Sequence, residues 1–583
     1  PEAFNNMGNA LKAKGDLESA IIEFKKALHL KYNFPEAHYN LGVVLYATGQ
    51  IADAIDSYKI ACRIKPDYIN SYLSLGNALM DIKDFRQAIV IYKKVIKIKP
   101  ALFEAYLNLG KAFQAQGDLD LAVNIYEKAL QIKPDYAEAY LNKGNTLRDK
   151  GDLDAALENF NQALEICPNY AEAINNLGFF FMGSGDFDAA IGKYKKAIEI
   201  KPVFAEAYGN MGIAYKEKGE LDLAIENLNK ALQIDPKLPD FHNSAGLVHR
   251  DTGDLEAALN SYQQAIKLDP EDAKAYWNQC LAYLTKGDFE KGWPEYEWRW
   301  KAKEDMMGKY ISTSKPIWNY SRGQRVLLWA EQGIGDEVMF ASIIPELHAL
   351  CSKLIVNLDE RLIPIFRRSF PNDIEYSSRE KPISETEYDA HIPMGSLPQH
   401  FRQAAESFKK SSQGWLFANE KKTDNLRQKL LVDETETLIG ISWHSTTPRL
   451  GAESKVLSLS QLAKTLYTPK TKLINLQYGD VSEEIERLNN EHGIEVIQLP
   501  EIDNTNDLDG LASLIMACDK VVSISNFSIH LAGALGKQAH VLLAYCSDWR
   551  WGQKPTSNYW YDSVCLHRQT IINDWKTALN KLH

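Results

Sequence analysis

The stretch Arg325-Val-Leu-Leu-Trp-Ala-Glu-Gln-Gly-Ile-Gly-Asp-Glu-Val-Met-Phe-Ala-Ser-Ile-Ile-Pro-Glu-Leu347 reads as strand, tight loop and helix. Val326 to Ala330 is an apolar run that suits a buried parallel strand. Gln332, Gly333 and Gly335 form the loop, and Asp336 stands where a helix N-cap belongs. Helical apolar spacing resumes at Val338. Such a turn presents backbone N–H groups and a helix N-terminus to an anion, and it sets one carboxylate at the mouth of a sheet.

Around this element lie 583 residues, enough for several domains. Hydrophobic content of 45% and charged content of 25% are those of a globular chain. A net charge of −11 argues against nucleic acid as the main ligand. No apolar run is long enough to span a bilayer, and no leader pattern opens the chain. The chain opens on Pro1 inside a repeat, so it is expected to be a piece of a longer protein. Its seven cysteines fall without C-x-x-C pairs, the usage of a reduced cytoplasmic protein with neither a disulfide framework nor a zinc site.

Upstream of residue 302 the sequence is periodic. Gly8, Gly42, Gly76, Gly110, Gly144, Gly178, Gly212 and Gly246 recur at a step of 34 residues, and Pro66 through Pro270 keep the same step. This is the tetratricopeptide (TPR) signature of two antiparallel helices per repeat. Nine repeats are expected over 1–302, the ninth with Cys280 in the glycine's place. Their stacking predicts an α-solenoid with a concave binding surface. The sixth position of the repeat carries Asn40, Asn108, Asn142, Asn176, Asn210 and Asn278. It lies roughly 150° from the core positions, so these amides point to the free face, where they can bond an extended peptide, neighbouring repeats or water. The array thereby resembles that of the protein O-linked N-acetylglucosamine transferase family, which carries an asparagine ladder at this position. Recurrent D-x-D turns, such as Asp152 and Asp154, open second helices and read as caps rather than metal ligands.

Trp293, Tyr296, Trp298 and Trp300 are too many aromatics for a solvated helix, and are expected to dock the last repeat onto the next domain. Residues 303–324 then read as a linker or docking segment. Residues 325–415 form a small Rossmann-like half, 416–436 an interdomain link, and 437–583 a second Rossmann-like half. The G-x-G at Gly333 and Gly335 is followed by Val338 where a dinucleotide fingerprint needs glycine, so a nicotinamide cofactor is not expected.

In doubly wound sheets ligands bind beyond the carboxyl ends of the strands. There the second half places His444, Arg449, Lys455, Gln477, Tyr478, Ser525, Asn526, Ser528, His530, Asp548 and Trp549. Hydroxyls and amides at a helix N-terminus suit a diphosphate, Arg449 and Lys455 can neutralise a departing nucleotide, and Tyr478 or Trp549 can cover a ring.

The G-x-G-D loop and Ser525-Asn-Phe-Ser-Ile-His-Leu-Ala-Gly-Ala-Leu-Gly536 resemble the GT-B glycosyltransferases related to the ADP-heptose heptosyltransferases (glycosyltransferase family 9). Asn526-Phe527-Ser528 departs from that family's Thr/Ser-Gly pattern. The resemblance implies a TPR superhelix followed by a GT-B fold. It also implies inverting, metal-independent transfer from a nucleotide-sugar to a protein or peptide acceptor in the TPR groove, with no required cofactor. The family's loop base aligns with Asp336, and His444 is the reserve. The 325–415 half then holds the acceptor, and the 437–583 half the nucleotide-sugar. Two alternatives stand beside this: a glycan or lipid transferase with the repeats as partner scaffold, and a non-catalytic TPR scaffold with a degenerate GT-B domain.

Overall fold

Most repeats close on one glycine against one aromatic ring. A Cβ built on Gly42, Gly76, Gly110 or Gly178 would stand 2.6, 2.5, 2.4 and 2.4 Å from the ring of Tyr58, Tyr92, Tyr126 and Tyr194 respectively. Any larger residue would hold the two helices apart, and this contact makes the period visible in the sequence. The computed structural model describes all residues except 303–309, 409–412, 432, 434, 446–456, 547 and 583.

The chain divides into two compact units, Pro1–Ala214 and Tyr215–His583. In the first, helix pairs such as Phe103–Gln116 with Leu119–Ile132 succeed one another. The acidic turns are caps: Asp16, Asp84, Asp152 and Asp186 each accept the backbone N–H three residues on. At the equivalent turn of the third repeat, Lys83 takes the left-handed conformation that glycine takes in its neighbours.

The second unit contains further repeat helices to Ala273–Lys286, the short aromatic helix Phe289–Tyr296, and two sheets. In the first sheet β1 (Arg325–Trp329), β2 (Lys353–Leu358), β3 (Glu375–Ser378) and β4 (Ala390–Pro393) lie in the order β3-β2-β1-β4, all parallel. The second sheet comprises β5 (Thr437–Ser442), β6 (Thr471–Asn475), β7 (Val496–Ile497), β8 (Lys520–Ile524), β9 (Ala539–Leu543) and β10 (Val564–Arg568). Its order is β10-β9-β8-β5-β6-β7, again parallel throughout. Counted along the chain this is the doubly wound order 3-2-1-4-5-6, whose direction reverses between β5 and β8. The edge strand β10 has no counterpart in the sequence reading, because Val-Cys-Leu-His-Arg is short and half polar.

Helix Glu420–Leu430 occupies the expected interdomain link. Lys422 pairs with Asp507 at 2.9 Å and Arg427 with Asp519 at 2.7 Å, which ties that helix to the second sheet's layer. The aromatic run is buried rather than solvated. Trp293 Nε1 donates to the Arg402 carbonyl at 2.7 Å, and its ring meets Trp549 edge-on at 5.6 Å. Trp298 stacks on Tyr276 at 4.2 Å.

Candidate functional site at the sheet ends

At the reversal point between β5 and β8, the chain ends of the two strands are bonded to each other. Asn526 donates through Nδ2 to Ser442 Oγ at 2.6 Å and to the His444 carbonyl at 3.3 Å. Ser523 Oγ donates to Asn526 Oδ1 at 3.0 Å. From β6, Gln477 Oε1 accepts from Ser442 Oγ and from the Trp443 and His444 N–H groups, at 2.8, 3.0 and 3.1 Å. Ser528 donates to the Leu476 carbonyl. Gln477, Asn526 and Ser528 are thus buried groups that fix the crevice floor. A polar residue just after a strand reads the same in sequence whether it faces a ligand or its neighbouring strand.

His444, Tyr478, Ser525 and Asp548 are half-buried. His444 lines a cavity of about 250 Å³ with Trp443, Ser460 and Arg487. Arg449 and Lys455 lie outside the described residues.

His530 is buried, with Nδ1 2.8 Å from the Tyr561 hydroxyl and its ring stacked on Trp551 at 5.1 Å. Burial, helped by the Arg550 charge, pushes its pKa down to about 3, so the ring is neutral. Trp551 Nε1 donates to Ser525 Oγ at 2.8 Å. Trp549 is packed edge-on against Trp293 and Tyr296, which makes it a core ring rather than the exposed cover of a base.

The glycine loop of the first half meets this region directly. A Cβ on Gly335 would reach His530 Cδ2 at 3.4 Å. The N-cap of helix Ile334–Phe340 is Gly333, so Asp336 lies inside the first turn and does not cap it, a correction to the sequence reading. The Asp336 carboxylate instead accepts from Arg550 Nε at 2.7 Å and pairs with its Nη2 at 2.5 Å. Arg550 Nη1 bonds Asp548 at 2.7 Å. Burial opposes the guanidinium charge, but the two carboxylates outweigh it and hold Arg550 firmly protonated. Gln332 accepts from the Tyr296 hydroxyl at 3.0 Å.

Behind the loop, two acids absent from the sequence-based site support it. Glu331 takes Arg299 Nη2 at 3.1 Å and the Gly395 N–H at 3.1 Å. Glu337 accepts the Asp359 N–H at 2.9 Å and Arg379 Nη1 at 3.0 Å. Burial pushes the Glu337 pKa up to about 7. Arg550, Glu331 and Glu337 all lie just after a strand end or flank the loop, and that position is the signal the sequence offers for them.

Of the repeat amides, four bond the preceding repeat: Asn40 to Asn5, Asn176 to Asn145, Asn210 to Asn175 and Asn278 to Asn243, at 2.7 to 3.1 Å. Asn142 Nδ2 is buried and has no partner among the described residues.

The repeat region carries TPR repeats. The TPR repeat family matches residues 8–49, 44–83, 76–117, 214–253 and 246–287, and the tetratricopeptide repeat families match 101–169, 135–202 and 193–226. Protein FlbA of Caulobacter vibrioides (strain ATCC 19089 / CIP 103742 / CB 15) is 31% identical over 311 residues, 50% of this chain and 51% of that protein. The chain therefore spans about half the length of the curated relative it matches. Among solved structures, the APC/C hetero-tetramer Cut9-Hcn1 is 18% identical with a TM-score of 0.38, over 47% of this chain and 54% of that one. MamA is 32% identical over 27% of this chain and 93% of its own, with a TM-score of 0.27. YrrB, a TPR protein with an unusual peptide-binding site, is 24% identical over 32% of this chain and 95% of its own, with a TM-score of 0.25. Among the described residues no helix is long and apolar enough to cross a membrane.

Proposed function

We propose that the α/β region is a GT-B-type, nucleotide-sugar-dependent inverting glycosyltransferase, and that the TPR repeats recruit its protein or peptide acceptor. The observation that carries this reading is the meeting of two loops at strand ends. One is the Gly333–Asp336 turn after β1, the other the segment after β8 that begins Ser525-Asn526. Two doubly wound halves whose ligand ends converge in this way suit a donor on one side and an acceptor on the other.

In this reading the nucleoside diphosphate sits at the β5/β8 reversal, near His444, Tyr478 and Ser525. The incoming diphosphate draws Arg550 away from Asp336. Asp336 then takes the proton of the acceptor hydroxyl as its oxygen bonds to the anomeric carbon. The anomeric carbon–phosphate oxygen bond breaks, and the electron pair leaves with the diphosphate, which Arg550 neutralises. No metal enters these steps.

A second reading, a TPR interaction scaffold without turnover, is favoured by the Asp336–Arg550 ion pair itself, since a carboxylate engaged by a guanidinium is not free to meet an acceptor hydroxyl. The separating experiment offers the full chain UDP-, GDP- and ADP-sugars and follows both calorimetric binding and nucleoside diphosphate release. Binding and slow release with one donor support the transferase. Binding of none overturns it in favour of the scaffold.

A further inference from the structure

The second helices Phe85–Ile98 and Leu119–Ile132 flank a groove that the intervening first helix Phe103–Gln116 helps to floor. The groove has a volume of about 540 Å³ and lies between the third and fourth repeats. Its floor includes Ile96, Tyr106, Leu109 and Ile125, and Lys93 and Lys128 are exposed at its mouth.

The charge around it runs against the rest of the chain. Helix Phe85–Ile98 carries Arg86, Lys93, Lys94 and Lys97 and no acid, whereas every other second helix of the regular repeats has at least one. Lys99 comes immediately after it. On the facing helix, Leu119–Ile132, both carboxylates are engaged elsewhere: Asp120 with Lys150, and Glu127 with Lys143 at 2.9 Å. Lys93 lies over the Phe113 ring at 5.3 Å, and neither Lys93 nor Lys128 meets a carboxylate among the described residues. A chain of net charge −11 thus keeps an apolar groove with two uncompensated ammonium groups at its rim.

We propose that this groove binds an acidic segment of a partner protein. A bulky apolar side chain of that segment seats on Ile96, Tyr106, Leu109 and Ile125, and flanking carboxylates pair with Lys93 and Lys128. The apolar floor supplies affinity by desolvation, and the lysines supply direction and encounter rate. An isolated lysine pair at a water-exposed rim contributes little by itself, so both elements are needed. This inference does not rest on glycosyl transfer.

The test uses the full chain and a fluorescein-labelled peptide with a leucine–phenylalanine pair between two triplets of glutamate. Fluorescence anisotropy is expected to show binding that weakens with added salt. Lys93→Glu/Lys128→Glu is expected to weaken it by about tenfold or more, and replacing the peptide's leucine–phenylalanine pair by two serines to do the same. Lys97→Glu/Lys99→Glu, a double reversal outside the groove lining, is expected to cost less than about threefold. All four positions are exposed, and matching circular dichroism melts identify any variant that fails to fold. The proposal is overturned if the two double variants weaken binding equally, or if the serine peptide binds as well as the original. It is also overturned if a single-stranded oligonucleotide binds more tightly than the acidic peptide and displaces it.

Discussion

Arg550 holds Asp336 with two of its nitrogens, Nε at 2.7 Å and Nη2 at 2.5 Å, across 214 residues of sequence. Its third donor goes to Asp548. The guanidinium therefore bridges two carboxylates; Arg550 and Asp336 are largely withdrawn from water, and Asp548 is half-exposed. Replacing Arg550 by Ala removes this shared counter-charge from both. The expected loss is about 3 kcal/mol of stability in the unit it belongs to, read from chemical denaturation of the full chain. Arg550→Lys should recover only part, because an ammonium cannot reproduce the planar fork.

The same pair decides the proposed chemistry. If Asp336 is the base, Asp336→Asn keeps one acceptor for Arg550 but removes the proton acceptor, and the transfer rate of the folded variant should fall by about 10²- to 10⁴-fold, beyond the stability lost with half of Arg550's counter-charge. His444→Ala, beside the small cavity at the β5 end, should instead raise the donor dissociation constant. A rate for Asp336→Asn equal to wild type would remove Asp336 from that role.

Glu337 gives a prediction in pH. Its carboxyl is buried, and its pKa rises from the usual carboxylate range to about 7 in the folded chain. The folded state therefore keeps a proton that the unfolded state gives up. Between about pH 4.5 and 7 this group's contribution falls as pH rises, and it is level above that window. Glu337→Gln removes the titration while keeping an oxygen for the Asp359 N–H. The variant's denaturation midpoint should fall less steeply with pH across that window than the wild type's.

Why some of this is legible in the sequence and some not depends on where each constraint lies. The repeats show because Gly110 and Tyr126, sixteen positions apart, must recur wherever two helices touch. The strands β1, β5 and β8 show because burial on both faces demands unbroken apolar runs. The crevice floor does not show. Gln477 and Asn526, 49 positions apart, both bond the end of β5, and no local pattern separates that from ligand contact. Trp549 reads as a lid because it comes just after a strand end, but its partners, Trp293 and Tyr296, lie about 250 residues earlier. Asp336 reads as a cap because its true partner, Arg550, is similarly distant in sequence.

The glycine contact can be tested alone. In Gly110→Ala the new methyl would meet the Tyr126 ring at 2.4 Å, with Tyr126 fully buried. The helices must separate or the ring must leave its rotamer, at a cost of about 1–3 kcal/mol. The alanine's better helix propensity returns no more than about 1 kcal/mol. Urea unfolding of the variant should therefore show a lower midpoint, and a midpoint at or above wild type would mean that the close approach is not needed.

The repeat amides separate into two kinds, and that makes the acceptor-binding reading testable. Asn176 is committed: its Nδ2 bonds Asn145 at 2.7 Å. Asn176→Ala should lower stability by about 1 kcal/mol and touch peptide affinity only through that loss. Asn142 keeps a buried Nδ2 with no partner among the described residues, so the folded repeats already carry its desolvation penalty. Asn142→Ala should leave stability unchanged or slightly improved. If an extended peptide lies along this face, a rotation of the Asn142 side chain would turn this unpaired donor to its carbonyl. The substitution should then weaken an extended acceptor peptide about fivefold, as loss of one net hydrogen bond implies. Titration of both variants with the same peptide, beside their unfolding curves, distinguishes the cases. If Asn142→Ala loses stability and keeps affinity, the amides serve only to join one repeat to the next.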